Sequence, residues 1–144
     1  MPLAPSIIMI AIYGQVLLTF VLLFTMGRRR IRALRKKETT MADISLNAMA
    51  WPDDALKAAN AFKNQFEIPV LFYLVCLLFM GLSRPDLFVA GLAIVFVLTR
   101  YLHAYIHINS NHVRKRAFAF LAGALCVGVM WLYLIFSHAM TLIN

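Results

Sequence analysis

Four runs of mostly apolar residues, each about twenty long, follow one another along the 144-residue chain, with most of the charge lying between them. A helix needs about 20 such residues to cross the roughly 30 Å hydrocarbon core of a bilayer. Within that core only elements that satisfy their own backbone hydrogen bonds persist. The pattern therefore predicts an all-α integral membrane protein. It would be a single four-span domain over residues 1–144, a four-helix bundle with spans at about 6–27, 56–80, 87–108 and 113–138. Composition agrees: 62% of residues are hydrophobic and 14% charged, where soluble domains carry roughly 25% charged residues.

The first run lacks a basic segment in front of it and is too long for the core of a signal peptide. The basic stretch RRRIRALRKK follows it instead, as expected for a true span whose C-terminal end faces the cytoplasm. Seven of the fourteen Lys and Arg residues lie between Arg28 and Lys37. The net charge of +8 thus reports orientation and attraction to anionic membrane lipids, and no nucleic-acid partner is expected. Gly14 and Gln15 within the run suit a helix packed on protein as well as lipid. Arg28 to Trp51 reads as a basic, then weakly polar connection.

Pro52, Asp53 and Asp54 suit the start of a second helix, since Pro fits the first helical position and acids complement the positive end of the dipole. This helix is expected to run to about Met80, with Ala55 to Gln65 standing clear of the membrane and a bend at Pro69. Gly81 to Asp86 (GLSRPD) forms a short turn whose single basic residue is Arg84. The third span ends in RYLHAYIH, where Tyr101 and Tyr105 fit an interfacial aromatic belt. A tight turn at Asn109 to Asn111 leads into the fourth span, with Gly123 and Gly128 available for close packing. Counting basic residues places the N-terminus outside and the first and third loops in the cytoplasm. Cys76 and Cys126 both sit in apolar runs and are expected to be small buried hydrophobes rather than a disulfide.

The candidate chemistry lies where the second and third spans approach the cytoplasm. Asn64 and Glu67 are spaced i, i+3 on one helix face. A carboxylate at the mouth of an apolar span is costly unless compensated, which marks Glu67 as a functional candidate. Arg100, His103 and His107 share one face of the third helix at i, i+3 and i+7. Arg116 lies in the first turn of the fourth, beside free backbone N–H groups that favour an anion. If these ends meet, they form a pocket with several cations, one acid and amide donors. Such a pocket suits a zwitterionic ligand with more than one carboxylate, and an Arg near a thiol would favour its thiolate. His103 and His107 with Glu67 could also be read as a metal site, but the surrounding cations oppose a divalent ion, so no metal is expected.

These motifs resemble the MAPEG family, the membrane-associated proteins in eicosanoid and glutathione metabolism, and are most similar to its bacterial branch. The resemblance rests on four spans, a long basic first loop, Asn64, Glu67 and Pro69 at the second span, and Arg100 with His103 ending the third, followed by Arg116. It implies a homotrimer in a bacterial inner membrane, with glutathione as co-substrate bound between subunits. Asn64, Glu67, Arg100 and His103 would contact glutathione, and Arg116 would be catalytic by stabilising its thiolate. Asn60 stands where the enzymes often have Arg, and His107 where they often have Tyr; both are carried as glutathione-binding candidates. The implied activity is that of a glutathione-dependent transferase or peroxidase of the microsomal type, acting on a hydrophobic small molecule. Two other readings compete: a small proton-coupled multidrug-type transporter using Glu67, and a non-catalytic membrane protein that keeps the fold.

Overall fold

The computed structural model describes residues 2–82 and 85–143, the side chains of 141–143 excepted. Among the described residues all regular structure is helical. In chain order the elements are α1 (Leu3–Arg35), α2 (Met41–Leu46), a 3-10 turn (Ala48–Ala50), α3 (Asp53–Lys63), a second 3-10 turn (Asn64–Phe66), α4 (Ile68–Leu82), α5 (Leu87–Ile108) and α6 (Val113–Ile143). Four segments are long and apolar enough to cross a membrane: α1, α3 with α4, α5, and α6. The protein is an integral membrane four-helix bundle. Arg84 lies outside the described residues.

α1 does not end at the basic cluster. It continues through it as a helix of 33 residues, about 50 Å at 1.5 Å per residue. Arg and Lys are good helix formers, and the last turn closes through Lys36 and Lys37 N–H bonds to Arg32 and Leu34 carbonyls. Lys37 takes the left-handed conformation (φ 56°) that ends the helix. A capping box between Thr40 and Asp43 then starts the short α2.

α3 lies against the far half of α1 through the small buried residues Ala55, Ala58 and Ala61. Arg29 fixes this packing. Its Nη1 forms an ion pair with the Asp54 carboxylate at 2.9 Å and donates to the Asp54 and Ile108 carbonyls at 3.0 Å each. One side chain of the basic cluster therefore ties together α1, the start of α3 and the end of α5. Its neighbour Arg30 lies 5.0 Å over the Trp51 ring. A buried amide pair adds to this packing. Gln65 is 2% exposed; it accepts from Gln15 Nε2 at 2.8 Å and donates to the Ala61 carbonyl at 3.0 Å.

The core between the helices is aromatic and aliphatic. Phe72 and Phe96 stack at 4.3 Å, surrounded by Ile8, Val75, Phe79, Ala93 and Met130. Cys76 is buried there as a free thiol. Gly123 lets α6 lie close against α5: a methyl added to it would lie 2.7 Å from Thr99 Oγ1. Gly128, expected to do the same, faces open space. The Tyr101 hydroxyl ties α5 to α1 by donating to the Gly14 carbonyl at 2.9 Å.

Asp86 organises the opposite end of the bundle. Its carboxylate caps α5 by accepting from Val89 N at 3.0 Å and accepts the Tyr133 hydroxyl of α6 at 2.7 Å. The Tyr133 bond, then the Val89 bond, holds this carboxyl below the usual acid range. A depressed acid stabilises the fold above its unfolded value, near 3.9, and that contribution is lost as pH falls through the folded value. Asp86→Ala is expected to cost about 0.5–2 kcal/mol at neutral pH, the range for a lost cap. The difference in thermal midpoint from the unsubstituted protein should close as the pH drops below about 4. A difference that persists at low pH would rule out the carboxylate as its source.

Candidate functional site

The site begins with Pro69. In a continuous helix its missing N–H would leave the Gln65 carbonyl unpaired, and its ring would crowd that carbonyl. The expected bend is instead a break. α3 stops at Lys63, residues 64–66 tighten into a 3-10 turn, and Glu67 adopts φ −102°, ψ −110°. Pro69 then falls in the first turn of α4, where its missing N–H costs nothing. The break turns the polar residues of this segment toward the ends of α5 and α6.

There a hollow of about 540 Å³ opens, within the usual range of roughly 300–1,000 Å³ for small-molecule sites. It is lined by Asn60, Lys63, Asn64 and Glu67 from the broken segment, His103 and His107 from α5, and Val113, Arg116, Ala117, Phe120 and Leu121 from α6. Six of the seven candidates named from sequence thus face one space: Asn60, Asn64, Glu67, His103, His107 and Arg116. Arg100 does not line it. Arg100 is 0% exposed and sits behind the wall, its guanidinium 5.9 Å from the Phe120 ring centre. Its Nη2 donates to the Asn64 carbonyl at 3.3 Å, which in an unbroken helix would accept from Ile68. Arg100 is a brace for the break.

The imidazoles are oriented by their partners. His103 Nδ1 lies 3.0 Å from the Arg116 carbonyl, so Nδ1 carries the proton, and Nε2 accepts from Asn64 Nδ2 at 3.3 Å. His107 Nε2 faces Arg116 Nη1 at 3.3 Å and accepts from it. Arg116 Nη1 also donates to Asn111 Oδ1, and Asn111 can point there because it takes a left-handed turn (φ 50°). One Arg116 nitrogen is therefore held by two neutral acceptors, leaving Nη2 and Nε for a ligand.

The charge of the hollow is divided. Glu67 makes no ion pair among the described residues and supplies a carboxylate at one side. Lys63 and Arg116 supply cations. Sequence reading missed Lys63, which sits one turn from Asn60 and next to Asn64. Its place in the helix beside two amides was the available signal. Phe120, also missed, joins Val113, Ala117 and Leu121 in an apolar wall. Lys57, on the same helix as Asn60, does not line the hollow.

Arg100→Met separates bracing from ligand contact. The swap roughly keeps volume and removes a buried guanidinium whose Nε and Nη1 lack partners, but it leaves the Asn64 carbonyl without its donor. The two effects oppose each other, so the thermal midpoint should move little. Amide exchange across residues 64–68 should quicken by about tenfold, for a bond worth about 1–1.5 kcal/mol. Unchanged exchange would remove Arg100 as the brace.

Compared with known proteins, the chain matches the family model described as MAPEG family over residues 8–136. No curated protein and no solved structure matches it.

Proposed function

The chain belongs to the MAPEG family, and from that premise we propose that the hollow beside the helix break binds glutathione. The protein would be a membrane-bound glutathione-dependent transferase or peroxidase acting on lipophilic electrophiles. The observation that carries this reading is the convergence of Asn60, Asn64, Glu67, His103, His107 and Arg116 on one cavity.

The charges match the tripeptide. Glu67 takes its ammonium. Lys63, one turn from Asn60, supplies a cation near the position where the resembling enzymes often carry Arg, and the carboxylates of the tripeptide also meet the amide donors of Asn60 and Asn64. Arg116, with Nη2 and Nε free, favours the thiolate over the thiol. In transfer, the thiolate sulfur forms a bond to an electrophilic carbon of the second substrate, and the leaving group on that carbon departs with its bonding electron pair. In peroxidase action the sulfur bonds to one peroxide oxygen, the O–O bond breaks, and the other oxygen leaves and takes a proton to give the alcohol; a second glutathione thiol then displaces water from the sulfenic acid to give glutathione disulfide. The apolar wall of Val113, Ala117, Phe120 and Leu121 suits a substrate that arrives from the bilayer. A proton-coupled exporter of cations fits less well, because Lys63 and Arg116 share the hollow with Glu67 and repel a cationic cargo.

In this reading the N-terminus lies outside an inner membrane of the bacterial type. The basic end of α1 and the α5–α6 turn face the cytoplasm, where glutathione is available. Glu67 and Leu121 are exposed at the flank of the hollow, and a neighbouring copy in a homotrimer would close it. Titration calorimetry of the purified protein with glutathione is expected to give saturable heat. Conjugation of a chloronitrobenzene or reduction of a lipid hydroperoxide should then depend on glutathione. No heat at millimolar glutathione would sink the reading.

A further inference from the structure

The basic cluster that reads in sequence as one block is divided in two by the fold. Arg29 and Arg30 turn inward, to Asp54 and Ile108 and to Trp51. Arg28, Arg32, Arg35 and Lys36 turn the other way and, with Ile31, line a separate cleft of about 400 Å³. A smaller recess beside it is lined by Thr25, Arg28, Arg29 and Arg32. Among the described residues, the three arginines that line the larger cleft meet no carboxylate. Lys36 alone has a loose contact, with Glu38 at 3.8 Å. Four cations around one cleft repel each other unless an anion joins them.

The same face of α1 continues as an apolar stripe. At 100° per residue, Leu17, Phe20, Val21 and Phe24 fall below Arg28, Ile31 and Arg35. All four are exposed, Phe20 by 52% and Phe24 by 67%. A cationic cleft placed directly above a stripe of exposed aromatic and aliphatic side chains has the shape of an amphiphile with an anionic head and an acyl chain. A free phosphate would use only the upper half of this surface.

We propose that the outward face of α1 is a binding site for an anionic phospholipid. The phosphate sits among Arg28, Arg32, Arg35 and Lys36, and an acyl chain lies along Phe24 and Phe20. Basic pockets at the end of a spanning helix recognise such headgroups through charge-assisted hydrogen bonds. The inference rests on the membrane reading of the chain and not on glutathione binding.

The test uses the full-length protein in nanodiscs of mixed phosphatidylglycerol and phosphatidylcholine, with retained lipid counted by native mass spectrometry. The intact protein should keep phosphatidylglycerol preferentially. The double variant Arg32→Gln/Arg35→Gln should lose that preference by about thirtyfold, the effect of two surface charges. Gln is a good helix former, so α1 should persist. Arg114→Gln/Lys115→Gln removes equal charge from the start of α6 and should retain the preference. Equal loss in both variants would mean general surface attraction and overturn the proposal. Displacement of the lipid by millimolar inorganic phosphate would overturn it as well. So would a fall in glutathione heat in Arg32→Gln/Arg35→Gln without any change in lipid, which would assign the cleft to the hollow. Selective lipid retention in a protein that binds no glutathione would leave this proposal standing and the glutathione reading refuted.

Discussion

Arg116→Ala is expected to lower glutathione-dependent turnover by about 10²–10³-fold, the effect of removing one preorganised donor from a developing or bound anion. The magnitude follows from how the side chain is held. Nη1 is fixed by His107 Nε2 and Asn111 Oδ1, so the side chain that lines the hollow is already ordered and offers Nη2 and Nε at little further loss of freedom. The backbone carbonyl of Arg116, which orients His103, survives the substitution. The variant should therefore keep its fold and much of its glutathione affinity while losing thiolate. Ultraviolet absorbance of bound thiolate should fall with kcat, and its apparent pKa should rise. Arg116→Lys should recover only part of the rate, since a single ammonium cannot hold both acceptors and still present a fork. An unchanged kcat in a folded Arg116→Ala protein would dismiss Arg116 as the thiolate partner.

The second large effect concerns Glu67. Glu67→Gln should weaken glutathione binding by about ten- to a hundredfold, since a hydrogen bond to a charged group is worth about 1.5–3 kcal/mol. The loss should fall mainly on the Kd and KM for glutathione, with kcat at saturation less affected, because the ammonium is remote from the reacting sulfur. A glutathione analogue lacking the amino group offers a check: it should bind the intact protein poorly and discriminate little between the two proteins. If glutathione binds both proteins equally, Glu67 has another role. If Glu67→Gln instead abolishes proton-coupled efflux from vesicles with conjugation intact, the transporter reading replaces the enzyme.

Much of this was legible before the structure. Hydropathy alone gives the four helices, because each apolar run has the length that a bilayer imposes. The i, i+3, i+7 spacing places Arg100 with His103 and His107 on a common face, whereas Asn64 and Glu67, expected on one helix face, reach the hollow from a 3-10 turn and a break in the helix. Assigning contacts within those faces was harder. Arg100 shares a stripe with the two imidazoles, yet it lies deeper and reaches the Asn64 carbonyl instead of the hollow. Periodicity reports direction around a helix and is blind to depth. Pro69 announced a disturbance but not its form; whether a helix bends or breaks depends on whether a donor can reach the freed carbonyl, and that donor is 36 residues away in sequence. Arg29 was hidden inside a run of like charges, where nothing local separates a structural tie from a surface charge.

The amide pair of Gln15 and Gln65 has a consequence for how the chain assembles. Sliding α1 past its neighbour by one turn, about 5.4 Å, would break the buried Gln15–Gln65 bond and leave the Gln15 amide without its partner, at a cost of about 1–3 kcal/mol. The pair therefore works as a detent that selects a single vertical offset. Only at that offset does Arg29, fourteen positions beyond Gln15, come level with Asp54. The level at which the hollow opens along α1 is thus set by two side chains that do not line it.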